Sequence, residues 1–152
     1  PGGVGGSFGA LLARAGEEVV ALARGPHLDA IRARGLALEG PLAGPPVPIA
    51  AGADAAALGP ADVVLFAVKL HQAEGAARDA APLFGPGTIG ISLLNGVTGP
   101  GIIADALPGR IILPGVAYVS AVIAAPGVIR MTGGMCRMVT GAPGADAAAR
   151  AR

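Results

Sequence analysis

The chain has 152 residues, one domain's worth, with a formal net charge of +1, 14% charged residues and 3% aromatic residues. That balance leaves no electrostatic footprint for nucleic acid or an anionic membrane. A single cysteine, Cys136, excludes an internal disulfide framework and a cysteine-based zinc site, and no metal site is expected.

The chain begins Pro1-Gly2-Gly3-Val4-Gly5-Gly6 and runs into an apolar helical segment, Phe8 to Ala15, stopped by Gly16. Read as G-x-G-x-x-G, Gly2 and Gly5 are the second and third glycines, and the first falls before Pro1. The strand that feeds such a turn falls there too, so a fragment lacking its first strand is expected. Glycine is needed here because the backbone must approach a pyrophosphate within contact distance, and the following helix offers free N–H groups to it. A glycine-rich loop capping a core helix is the plainer alternative.

Glu17 to Ala23 suits a short buried parallel strand, and Arg24 ends it. In this fold the residue about 20 positions past the first glycine meets the adenine ribose. A carboxylate there selects a free 2′-OH. A guanidinium instead forms a two-pronged, charge-assisted bond to a 2′-phosphate, worth roughly 1.5–3 kcal/mol. Arg24 therefore favours NADP(H) over NAD(H), against the alternative of a solvated strand-end arginine.

Further along, Asp29 to Arg34 reads as helix and Leu36 to Glu39 as strand. A Pro/Gly loop leads to a short strand over Val47–Ile49, then a helical turn over Asp54–Leu58. Ala61 to Val68 is a continuous apolar run, as a central parallel strand should be. Gln72 to Leu83 is helical, Pro86-Gly87 a turn, Thr88 to Leu94 a strand, and Thr98 to Ala106 a helix. Beyond them Ile111–Ala121, Gly127–Met131 and Cys136–Thr140 read as three antiparallel strands, and a helix begins at Asp146. The uncharged stretch from Ile111 to Ile129 is long enough to span a bilayer, but Pro114, Gly115, Pro126 and Gly127 interrupt it at strand spacing, so no membrane span is expected. The fold class is α/β: a Rossmann-like doubly wound parallel sheet with an antiparallel C-terminal extension, its first strand missing.

Ligands of open α/β sheets bind at the carboxyl ends of the strands. Arg24, Lys69 and Asn95 each end an apolar run, and Lys69 is the chain's one lysine. Lys69 suits a phosphate, ribose hydroxyls or an anionic substrate. Asn95 before Gly96 suits a ribose or a carbonyl, or simply an Asn-Gly turn. His71 reads as a surface or capping residue, and Tyr118 and Ser120 as packing residues.

The glycine turn, Leu22-Ala23-Arg24-Gly25, Val68-Lys69, Leu94-Asn95-Gly96-Val97, and Gly115 to Ala121 followed by Pro126-Gly127-Val128-Ile129 resemble, in order and spacing, the ketopantoate reductase (2-dehydropantoate 2-reductase) family. The resemblance covers the whole chain, residues 1–152, as the NADP-binding N-terminal half of such an enzyme, truncated at both ends. It implies NADPH-dependent reduction of 2-dehydropantoate to pantoate, a step toward pantothenate and coenzyme A. It implies coenzyme contacts at Gly2, Gly3, Val4, Gly5, Arg24, Lys69, Asn95 and Ala121, with Asn95 also touching substrate. The family's proton-donating lysine belongs to a helical C-terminal domain, so no catalytic residue is assigned here and this chain alone is expected to be inactive.

A small 2-keto acid is the expected partner, a homodimer stays open, and a cytoplasmic location is the default. Two alternatives remain: a reductase of another 2-keto acid, and a non-catalytic nucleotide-binding module. A sheet without its first strand leaves unpaired edges, so the isolated chain is expected to be marginally stable or aggregation-prone.

Overall fold

The computed structural model describes residues 1–141, so the helix expected from Asp146 lies outside the described residues. The chain divides into two compact units, Pro1–Gly59 with Tyr118–Arg137, and Pro60–Ala117 with the chain from Met138 onward.

The first unit opens with helix α1, Gly3–Arg14. Sequence reasoning starts the helix at Phe8, but here the glycines themselves are helical and only Gly2 stands outside, as the N-cap. The small residues let α1 lie close to its neighbours, and Ser7, fully buried, donates its hydroxyl to the Gly3 carbonyl at 2.8 Å. At the other end Gly16 N–H donates to the Ala13 carbonyl and Glu17 N–H to the Leu12 carbonyl, which closes the last turn. Strand β1 (Val20–Leu22) follows, shorter than its apolar run, then α2 (Gly25–Arg34), with Arg24 as its extended N-cap and Pro26 in its first turn. Strand β2 (Leu36–Glu39) falls where its sequence places it. The Pro/Gly region supplies two short strands rather than one, β3 (Gly44–Val47) and β4 (Ala50–Gly52). Strand β4 pairs in parallel with β1, Val20 opposite Ala50, and β3 is antiparallel to β2. Among the described residues β1 has no strand on its other edge. The core holds Ile31, Leu36, Leu38, Ile129 and Met131 around Ala10, Ala23 and Leu28.

The second unit starts with β5 (Ala61–Phe66), which pairs in parallel with β6 (Phe84–Ser92), Phe66 opposite Ser92. Helix α3 (Ala73–Ala80), flanked by single 3₁₀ turns, connects them, and α4 (Gly99–Ala106) follows β6. Pro86-Gly87 does not separate a turn from a strand. It bulges within β6, where the register shifts, and Thr88 holds the irregularity by accepting from Gly85 N–H at 3.0 Å and donating to the Ala61 carbonyl. The rings of Phe66 and Phe84 stack with centroids 6.2 Å apart.

The three expected C-terminal strands are two long ones, β7 (Ile111–Ala125) and β8 (Val128–Thr140), joined by Pro126-Gly127 into a hairpin. Gly133 and Gly134 look like a turn in sequence, yet neither has positive φ and the strand continues through them. Nor is this region wholly antiparallel. In the second unit β7 pairs in parallel with β6, Ile91 opposite Leu113. In the first, β8 pairs in parallel with β2, Leu38 opposite Ile129. The pairing is mostly parallel, the mixed α/β arrangement expected of a Rossmann-like fold. Tyr118 and Ser120 are exposed rather than packed, and Ser120 shares a 2.7 Å hydroxyl–hydroxyl bond with Thr132 across the hairpin.

Candidate functional site

Gly2 caps α1, and Gly3, Val4 and Gly5 form its first turn. Gly6 N–H already donates to the Gly2 carbonyl at 2.8 Å, so the N–H groups ahead of it have no partner within the helix and form the end that favours an anion. At Gly3 the backbone comes close to that of another element. A Cβ there would fall inside contact distance of the Ala121 carbonyl, 2.6 Å from its carbon and 2.9 Å from Val122 N. The glycine turn and Ala121, far apart in sequence, are thus brought together. Gly6, not singled out by its motif position, has the same role against β8: its Cβ would lie 2.7 Å from Ile129 Cγ1.

Arg24 is exposed at the N-cap of α2, in extended conformation (φ −141, ψ 159). Three residues on, His27 is half-buried, and its Nδ1 accepts from Gly127 N–H at 3.0 Å. Sequence reasoning passes over His27. The available signal is its place in a helix's first turn, where the macrodipole disfavours a cation and so favours a neutral ring that can accept. Burial pushes its pKa below the usual histidine value of 6.5. The unfolded chain therefore takes up a proton at His27 more readily than the folded one. Its contribution to stability is complete above pH 6.5 and is lost as the pH falls through the lowered value. A thermal melt is expected to show a lower midpoint at pH 5.5 than at 7.5, by roughly 2–4 °C per kcal/mol, and His27→Asn is expected to reduce that difference.

In the second unit Lys69 is exposed just past β5. Its backbone N–H donates to Gln72 Oε1 at 3.3 Å and its carbonyl accepts from Gln72 N–H at 2.8 Å, which fixes the chain as it leaves the strand. His71 lies exposed in the 3₁₀ turn that follows. Asn95 is exposed between β6 and α4, where Gly96 turns the chain at φ +90. It lines a small cavity of about 110 Å³ with Leu93, Leu94, Gly96, Gly115, Val116 and Ala117. Leu93 N–H donates to the Phe66 carbonyl at 2.8 Å, tying the ends of β6 and β5 together beyond their last ladder pair. Gly115 packs tightly beneath this loop, since a Cβ there would come within 2.9 Å of both Ile91 Cγ2 and Leu93 Cδ2. Cys136, half-buried on β8, has its thiol pKa pushed up by burial.

The folding pattern, mostly parallel strands with helices between them, is Rossmann-like. The family described as ketopantoate reductase PanE/ApbA matches residues 1–144, and the chain belongs to that family. A 2-dehydropantoate 2-reductase of Mesorhizobium japonicum is 40% identical over 97 residues, 63% of this chain and 30% of that protein. One of Pyrococcus abyssi is 32% identical over 132 residues, 87% of this chain and 42% of that protein. The crystal structure of the 2-dehydropantoate 2-reductase of Porphyromonas gingivalis superposes with a TM-score of 0.80 at 34% identity, over 91% of this chain and 50% of that one. The chain therefore spans half or less of the length of these relatives. Ketopantoate reductases are oxidoreductases that use a nicotinamide coenzyme and act on a small keto acid. Among the described residues no helix is long and apolar enough to cross a membrane.

Proposed function

We propose that this chain is the coenzyme-binding part of an NADPH-dependent 2-dehydropantoate 2-reductase, which makes pantoate for pantothenate and coenzyme A synthesis in the cytoplasm. The observation that carries the reading is the close approach of Gly3 to the Ala121 backbone at the open end of α1. A side chain on Gly3 would collide with that backbone and push α1 away from β7; with glycine there, α1 stays close and its first-turn N–H groups can face a pyrophosphate. The donor set fits the rest of the coenzyme. Gly2, Gly3, Val4 and Gly5 hold the pyrophosphate, Arg24 the 2′-phosphate, and the backbone of Ala121 gives a further contact.

Lys69, on a backbone fixed by Gln72, carries the positive charge that holds the ribose or phosphate oxygens near the reacting end. Asn95 presents its amide from a loop that Leu93 and Gly115 hold in place, and it orients both the coenzyme and the keto group of the substrate. When bound, the coenzyme supplies a hydride. The proton for the resulting alkoxide comes from an acid in the helical half of the intact enzyme, so the isolated chain is inactive.

The test is turnover by the intact protein. NADPH-dependent reduction of 2-dehydropantoate is expected, and Asn95→Ala is expected to lower kcat/KM by roughly 10²-fold, the scale for a misplaced reacting group. Reduction of a different 2-keto acid in a substrate panel would move the assignment to that substrate. Coenzyme binding without turnover of any 2-keto acid would leave a non-catalytic nucleotide-binding module.

A further inference from the structure

The tip of the β7–β8 hairpin rests along α2 at three places. Arg34, near the C-terminal end of the helix, donates to the Pro126 carbonyl at 3.4 Å. In the middle, Gly127 (φ +78) sits so close that a Cβ would lie 3.0 Å from Ala30 Cβ. At the N-terminal end Gly127 N–H donates to His27 Nδ1 at 3.0 Å.

Gly127 is buried, so without His27 its N–H would be left unsatisfied, a cost that the ring removes. Because Nδ1 accepts, the ring proton must be on Nε2. Nε2 is itself buried without a hydrogen-bond partner among the described residues. The same hairpin carries Ala121 against Gly3. Thus one hairpin touches the glycine turn and, through His27, the helix turn that begins at Arg24.

We propose that His27 is a positioning residue: it anchors the first turn of α2 to the hairpin and so sets Arg24, relative to the glycine turn, for the coenzyme's 2′-phosphate. This rests on the NADPH reading above. His27 itself touches no coenzyme. Its acceptor fixes the distance that a coenzyme carrying both a pyrophosphate and a 2′-phosphate must match.

The experiment measures Kd for NADPH and NADH in the intact protein and in His27→Ala, His27→Asn and His27→Gln, with hydrogen exchange at the Gly127 amide. The Asn side chain puts an oxygen near the place of Nδ1, whereas that of Gln overshoots it. His27→Ala is expected to weaken NADPH by about fivefold to tenfold, one hydrogen bond's worth, with NADH changed less than about twofold, and to speed Gly127 exchange. Asn is expected to restore both, and Gln neither. Equal loss for the two coenzymes, an unchanged NADPH Kd, or Asn no better than Ala would overturn the inference. Should the alanine variant fail to fold, the contrast of Asn with Gln decides the matter in the same way. Arg24→Ala, measured alongside, separates the two readings. If it leaves coenzyme preference untouched, the NADPH reading itself fails. If it removes the preference while His27→Ala does not, only the role of His27 fails.

Discussion

Replacing Gly3 by alanine is expected to weaken coenzyme binding by the intact protein by one to two decades and to destabilise the fold by roughly 1–3 kcal/mol, the usual cost of overpacking. The added methyl would press on the Ala121 carbonyl group and Val122 N. These are backbone atoms in the middle of a strand, and no rotamer change can move them aside. Either α1 lifts off β7 or the strand bends, and both shift the helix's N-terminal N–H groups. Gly75, inside α3, is the control. A Cβ there meets nothing within 4 Å, so Gly75→Ala is expected to raise stability by about 0.5–1 kcal/mol through helix propensity alone. Urea midpoints and coenzyme titrations of the two variants check both parts. Unaltered coenzyme affinity in Gly3→Ala would mean that the close approach has no part in binding.

Arg24→Ala is expected to raise the Kd for NADPH by about 10–100-fold while leaving that for NADH within about twofold, the signature of a lost charge-assisted bond to one phosphate. The guanidinium stands at an exposed N-cap, so its bond to phosphate is screened, and the difference between coenzymes should shrink at high salt. Arg24→Lys keeps a point charge but loses the planar fork, and an intermediate Kd is expected. Parallel titrations at two ionic strengths measure all three effects. Equal weakening of both coenzymes would instead place Arg24 in support of the helix rather than on the phosphate.

Much of this arrangement is written in local sequence. The run from Val63 to Phe66 is apolar and continuous, yet among the described residues β5 pairs with β6 alone and is an edge strand rather than the central one expected; Leu36–Glu39 is marked off by Gly35 and Gly40. Arg24 and Asn95 stand out because each is the first polar side chain after an apolar run. What escapes local reading is set by partners distant in the chain. Glycine signals a turn when its φ is positive, as at Gly127, but Gly133 and Gly134 are extended and look identical in sequence, so one strand reads as two. The glycine motif does not tell that a side chain at Gly3 or Gly6 would collide, because Ala121 and Ile129, far along the chain, decide it. His27 is invisible for the same reason: its donor, Gly127, is 100 positions away.

The proposed selectivity for a 2′-phosphate rests on a guanidinium at the cap of α2. Direct titration of the intact, unsubstituted protein with NADPH and NADH at one ionic strength tests it most simply. NADPH is expected to bind at least about tenfold more tightly, one charge-assisted contact's worth. Equal affinities, or tighter binding of NADH, would contradict it.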